Sequence, residues 1–142
     1  MQTDKLKNVS STIGNAVLPA VLRLPLIKHW FDMTKAGIKT EDYRETSEYW
    51  MKRLFTKSTF EMYEQAKYSG GNEFENGTFH IDFADYKPFD YNIMTLGYPS
   101  KDDTSRIIKL EHKGIEVRKG KPEWGAEPNK LYFVILHGAV IA

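Results

Sequence analysis

Leu24–Arg44 reads LPLIKHWFDMTKAGIKTEDYR, and its patterning sets how the rest of the chain is arranged. From Ile27 to Ala36 the residues Ile27, Trp30, Phe31 and Thr34 recur at i, i+3, i+4 and i+7, while Lys28, Asp32 and Lys35 fall on other faces. That pattern predicts a short amphipathic helix. Pro25 stands before it, where a missing amide costs little, and Gly37 follows it, where helices commonly exit through a left-handed residue. Beyond the glycine, an extended segment puts Thr40, Asp42 and Arg44 on one face and Glu41 and Tyr43 on the other. Lys39 lies at the turn between them. Lys39, Thr40, Asp42 and Arg44 supply an ammonium, a hydroxyl, a carboxylate and a guanidinium fork, a set suited to an anionic or hydrogen-bonding ligand. On composition alone, the same residues read first as an exposed cross-strand Asp42–Arg44 pair worth ~0–1 kcal/mol, with Lys39 solvated.

The run Trp30-Phe31-Asp32-Met33 followed by Gly37-Ile38-Lys39-Thr40-Glu41-Asp42-Tyr43-Arg44 resembles the signature of the ASCH domain family, within the PUA-like group. The match covers the stretch quoted above. It implies an α+β fold, a PUA-like small β-barrel of five to six strands with two or three short helices. It also implies a basic cleft that binds RNA or a nucleotide- or nucleoside-type ligand. Some small bacterial relatives are amidohydrolases that remove the acyl group from N4-acetylcytidine with a lysine and a threonine of this motif and a separate glutamate. Lys39 and Thr40 match the first two positions, and Glu123, Glu127 and Glu111 are candidates for the third, with Glu123 placed first. The chain departs from the motif at Asp42, where the family usually has a glutamate, a change that keeps the charge and shortens its reach.

Bulk properties narrow the choice. The chain has 142 residues, 41% hydrophobic and 27% charged, the composition of one globular domain. We expect residues 1–19 to be an irregular or loosely helical extension and residues 20–142 to be one domain. A net charge of +1 advertises no general affinity for nucleic acid, so duplex DNA is not an expected partner and any binding surface must be local. The absence of cysteine excludes disulfides, thiolate nucleophiles and Cys-ligated zinc. Lys5 and Lys7 precede a mildly apolar Ile13–Leu22, but Asn15 and Pro19 interrupt it without a small-residue cleavage site. No run approaches the ~20 apolar residues of a membrane span. A cytoplasmic location without membrane contact is the expectation.

Along the chain, Ala20–Leu26 reads as a first strand, with Pro25 near a sheet edge. Thr46 or Ser47 is placed to cap a second helix that carries Trp50, Met51, Leu54 and Phe55, with Lys52, Arg53 and Lys57 toward its end. Ser58-Thr59-Phe60-Glu61 has capping-box spacing for a third helix through Met62, Tyr63 and Ala66. Gly70-Gly71-Asn72 would stop it, a loop would run from Asn72 to Gly77, and Phe79, Ile81 and Phe83 alternate as a strand. Tyr91–Tyr98, Arg106–Glu111 and Ile115–Val117 read as further strands, the last two separated by a tight turn at His112-Lys113-Gly114. Leu131–Leu136, LYFVIL, suits a central strand buried on both sides.

Other signals are weaker. His29, His80, His112 and His137 are scattered, and His80 with Asp82 lacks a third ligand, so no metal site is expected. No cofactor is implied, and there is no P-loop, dinucleotide fingerprint or Gly-x-Ser-x-Gly elbow. Trp124, in the Pro- and Gly-bounded loop Lys121–Pro128, either stacks on a base or plugs one end of a barrel. Tyr43 and Tyr98 are further stacking candidates.

Overall fold

The structure, a computed structural model, describes residues 12–13, 16–69 and 84–142. In chain order the elements are β1 (Thr12–Ile13), β2 (Ala16–Val17), β3 (Val21–Leu26), α1 (Lys28–Lys35), β4 (Glu41–Arg44), α2 (Glu48–Leu54), α3 (Lys57–Ser69), β5 (Tyr91–Leu96), β6 (Ile107–Lys119) and β7 (Leu131–Val140). The described residues before Glu45 form one compact unit with Pro88–Ala142, and Glu45–Lys87 forms a second. The readings for Gly70–Phe83, including His80 and Asp82, lie outside the described residues.

In the first unit, β7 is the strand on which the sheet is laid. Tyr132, Phe133, Val134 and Ile135 are all buried, which a run without alternation requires when both faces are covered. β7 pairs antiparallel with β6 on one side and with β4 on the other. β5 adds antiparallel to β6, and β3 adds parallel to β5. The resulting five-stranded mixed sheet, in order β3-β5-β6-β7-β4, curls into a half-barrel. Its two edge strands communicate directly, because the Arg44 guanidinium on β4 donates to the Pro25 carbonyl on β3 at 2.9 Å. Pro25 lacks an amide and so sits on an edge strand without breaking a ladder. β1 and β2 form a separate antiparallel pair.

Strand register assigns the two faces. Leu22 lies beside Asn92, Leu24 beside Met94, and these in turn face Leu110 and Ile108, all of them buried. On β7 the same layer continues through Phe133 and Ile135. The opposite face holds a smaller cluster of Ala126, Tyr132 and Val134, with Tyr43 and Leu136 packed on it. α1 presents Phe31 and Thr34 to the interior.

The first strand, the first helix and the buried Tyr132–Ile135 centre of the LYFVIL run agree with the expected pattern, Leu131 at its start is exposed, and two local readings in this unit change. Ile27 is 67% exposed and extended at φ −75°, ψ 162°, so it precedes α1 instead of joining its apolar face. His112-Lys113-Gly114 is not a turn between strands. It is a bulge in β6 where the register with β7 shifts, and the strand continues to Lys119. That bend lets one long strand serve both β5 and β7.

In the second unit, the Ser47 hydroxyl caps α2 by accepting from the Trp50 amide, as its position predicts. The cap of α3 is Thr56, whose hydroxyl accepts from the Thr59 amide at 3.3 Å, and not Ser58. Lys57 therefore opens α3 instead of closing α2. Glu48 on α2 accepts from both Tyr63 and Lys67 on α3, tying the two helices together. Among the described residues, no helix is long and apolar enough to cross a membrane.

Gly125 shows how closely the loop before β7 packs. Its φ is +97°, and a Cβ placed there would lie 2.8 Å from Cζ2 of Trp30. Gly125→Ala is expected to destabilise the chain by about 1–3 kcal/mol through combined backbone strain and collision. A urea unfolding curve checks this, and an unchanged midpoint would contradict the packing.

Candidate functional site

The exit from α1 delivers Lys39 to the interior. Ala36 closes the helix, Gly37 turns at φ +77°, and the amides of Ile38 and Lys39 both return to the Met33 carbonyl, at 3.0 and 3.1 Å. The turn reverses the placement polarity alone would give, with Ile38 58% exposed and Lys39 only 3% exposed. Inside, the Lys39 ammonium donates to the Glu41 carbonyl oxygen and lies 3.7 Å from Asp42 Oδ1. It also sits over the rings of Trp30 and Tyr43, with its nitrogen 5.9 and 5.4 Å from their centroids. Such cation–π contacts partly replace the lost water. Burial nevertheless holds the Lys39 pKa below its ordinary value; Asp42 opposes that shift and Arg44 adds to it.

Asp42 is as deeply buried as Lys39 and divides its carboxylate between two cations. Oδ1 faces Lys39, while Oδ2 accepts from Arg44 Nε. The Arg44 fork then reaches Pro25. Asp42 and Arg44 thus form a same-strand pair, the carboxylate buried and the guanidinium half-buried, rather than an exposed cross-strand one.

A second polar group meets this one from β5, β6 and β7. Asn92, fully buried, donates through Nδ2 to the Leu136 carbonyl at 3.4 Å and to His137 Nδ1 at 2.7 Å, and its Oδ1 accepts from His112 Nδ1 at 2.8 Å. The Leu136 carbonyl can only accept, which fixes the orientation of the amide. His137 Nδ1 is therefore the acceptor, and its proton resides on Nε2. His137 is 7% exposed, and that Nε2 has no hydrogen-bond partner among the described residues. An unmet buried donor costs ~1–3 kcal/mol. Burial depresses both His137 and His112 to about 4, leaving the rings neutral near pH 7.

The remaining sequence candidates form a rim. Tyr43 donates its hydroxyl to Glu41 Oε1 at 2.8 Å and accepts from the Lys121 amide at 2.9 Å, while burial raises its pKa. The Glu41 carboxylate is held in turn by Arg118, with Oε2 2.6 Å from Nη2. Trp124 is half-buried, with the Lys121 ammonium 4.4 Å from its ring centroid. Thr40 and Glu123 are exposed, and Tyr98 is 92% exposed. Glu127 is engaged by Lys130, and Glu111 accepts from the Ala139 amide. The structure therefore gathers Lys39, Asp42, Arg44 and the Tyr43 ring, and leaves Thr40 and Glu123 at the surface.

Trp30, Asn92, His112 and His137 join the site without having been singled out. Two signals for them exist in the sequence. Asn92 interrupts an apolar strand, and His137 follows Phe133 and Ile135 at period two. No described His, Asp or Glu residues are grouped in a way that could hold a metal ion. No protein-family model, curated protein or solved structure matches this chain.

The depressed histidines make stability pH-dependent. Each has a folded pKa of about 4 against an ordinary 6.5, so the unfolded chain takes up protons first as pH falls. Their contribution is full above that ordinary value and declines below it, by about 1.4 kcal/mol per pH unit for each histidine. Urea unfolding between neutral and mildly acid pH should show this loss, and His112→Gln should remove one histidine's share. A flat profile would contradict the burial of the pair.

Proposed function

We propose that this chain is a PUA-like domain of ASCH type that binds a nucleoside- or nucleotide-type ligand, free or as an unpaired residue of RNA, against Lys39. The observation that carries this reading is the nearly complete burial of the Lys39 ammonium. Burying a cation costs stability unless something is gained from it, and lysines perturbed in this way collect at functional sites. The rings of Trp30 and Tyr43 beside the ammonium supply flat apolar surfaces, and Trp124 adds another on the neighbouring loop. Stacking a base on such a surface is worth ~1–3 kcal/mol. With Lys39 as donor, this combination suits a planar ring carrying acceptor atoms.

Hydrolysis is a second reading, favoured by the lowered pKa of Lys39. A neutral Lys39 amine would take a proton from the Thr40 hydroxyl or from water as that oxygen attacks the acyl carbon. A carboxylic acid, with Glu123 the first candidate ahead of Glu127 and Glu111, would protonate the departing amine of cytidine. Because Thr40 and Glu123 are exposed, this chemistry requires a ligand that reaches from the buried amine to the surface.

Incubation with N4-acetylcytidine separates the two readings, with bound ligand measured by calorimetry and released cytidine by chromatography. The binding reading predicts association without release, weakened about tenfold or more in Lys39→Ala, equivalent to ~1.4 kcal/mol. Release that disappears in Lys39→Ala would establish the hydrolase. A folded Lys39→Ala variant that binds as the wild type does would end both readings.

A further inference from the structure

The polar atoms of the Asn92 amide are fully committed. Its two amide hydrogens go to Leu136 and His137, and its oxygen accepts from His112. Among the described residues, the buried side-chain atom of this relay without a hydrogen-bond partner is His137 Nε2, which carries a hydrogen. Strand register puts the His137 ring on the face that carries the lysine site. Asp42 lies opposite Ile135, the Thr40 carbonyl accepts from the His137 amide, and His137 follows Ile135 by two residues, so its ring shares the Asp42 face. Consistent with that placement, Asp42, Lys39, Arg44 and His112 all act on the charge of the His137 ring.

We propose that the His137 Nε2–H is a specificity-determining donor, which meets a carbonyl oxygen of a bound amide or nucleobase beside Lys39. A neutral imidazole held in this tautomer can donate at Nε2 but cannot accept there. The Lys39 ammonium likewise only donates. The two together select a ligand edge with acceptors and reject one that presents a donor, because a buried donor facing another donor leaves both unpaired. Asn92 and His112 are positioning residues that hold the tautomer. This inference rests on the reading that ligand enters at Lys39, and it adds the group that would discriminate among ligands.

The test uses long-range proton–nitrogen NMR of the full, uniformly labelled chain at neutral pH. His137 should appear protonated on Nε2, and its proton should move downfield when either N4-acetylcytidine or the simple amide N-methylacetamide is added. His137→Leu should weaken N4-acetylcytidine binding about tenfold, and His137→Gln, which restores a donor, should recover part of that loss. A signal that moves with N-methylacetamide but not with the nucleoside supports the donor and removes the nucleoside reading. Nucleoside binding that leaves the His137 signal unmoved overturns the donor and spares the nucleoside reading. A proton found on Nδ1, or no response to either probe, also overturns the donor.

Discussion

The Asp42 carboxylate is the group on which this architecture turns. One oxygen faces the Lys39 ammonium and the other holds Arg44, whose guanidinium extends to the opposite edge strand at Pro25. A carboxylate this deeply buried is tolerated only with its charge answered on both sides, and removing one partner of such a pair typically costs ~3–5 kcal/mol. Yet intact buried ion pairs add little stability over a well-packed apolar replacement. The arrangement is therefore better understood as a device that fixes geometry. It holds the lysine in place and ties the end of the curl to its beginning.

The two faces of β4 divide the labour. Asp42 and Arg44 look inward, while Glu41 and Tyr43 look toward the end of β6 and the loop that follows it, where Arg118 on the strand and the Lys121 amide on the loop hold them. The Lys39 amine lies between the two, donating to the backbone of the strand and flanked by Trp30 from the helix and Tyr43 from the strand. Gly120 and Gly125 allow the loop to close over these rings, because a side chain at either would strike Tyr43 or Trp30.

Local patterning made much of this legible. The period of Trp30, Phe31 and Thr34, the glycine after the helix and the alternation of β4 each depend on nearest neighbours, and each survives folding. Polarity misled where tertiary context prevailed. Lys39 looked solvated but is buried because the turn at Gly37 aims it inward, and Ile27 looked like core but precedes the first helical turn. The relay of Asn92, His112 and His137 was not legible as a unit. It requires three strands whose register depends on the bulge in β6, and the scattered positions of its members give no spacing to detect.

The central claim is that Lys39 is a buried, perturbed amine that meets ligand. Its side-chain carbon and nitrogen resonances, followed through a pH titration with and without saturating N4-acetylcytidine, test this directly. The account predicts a midpoint below the 10.5 of an ordinary lysine and a change in that midpoint when the nucleoside is present. A lysine that titrates at its ordinary value and ignores the nucleoside would contradict it.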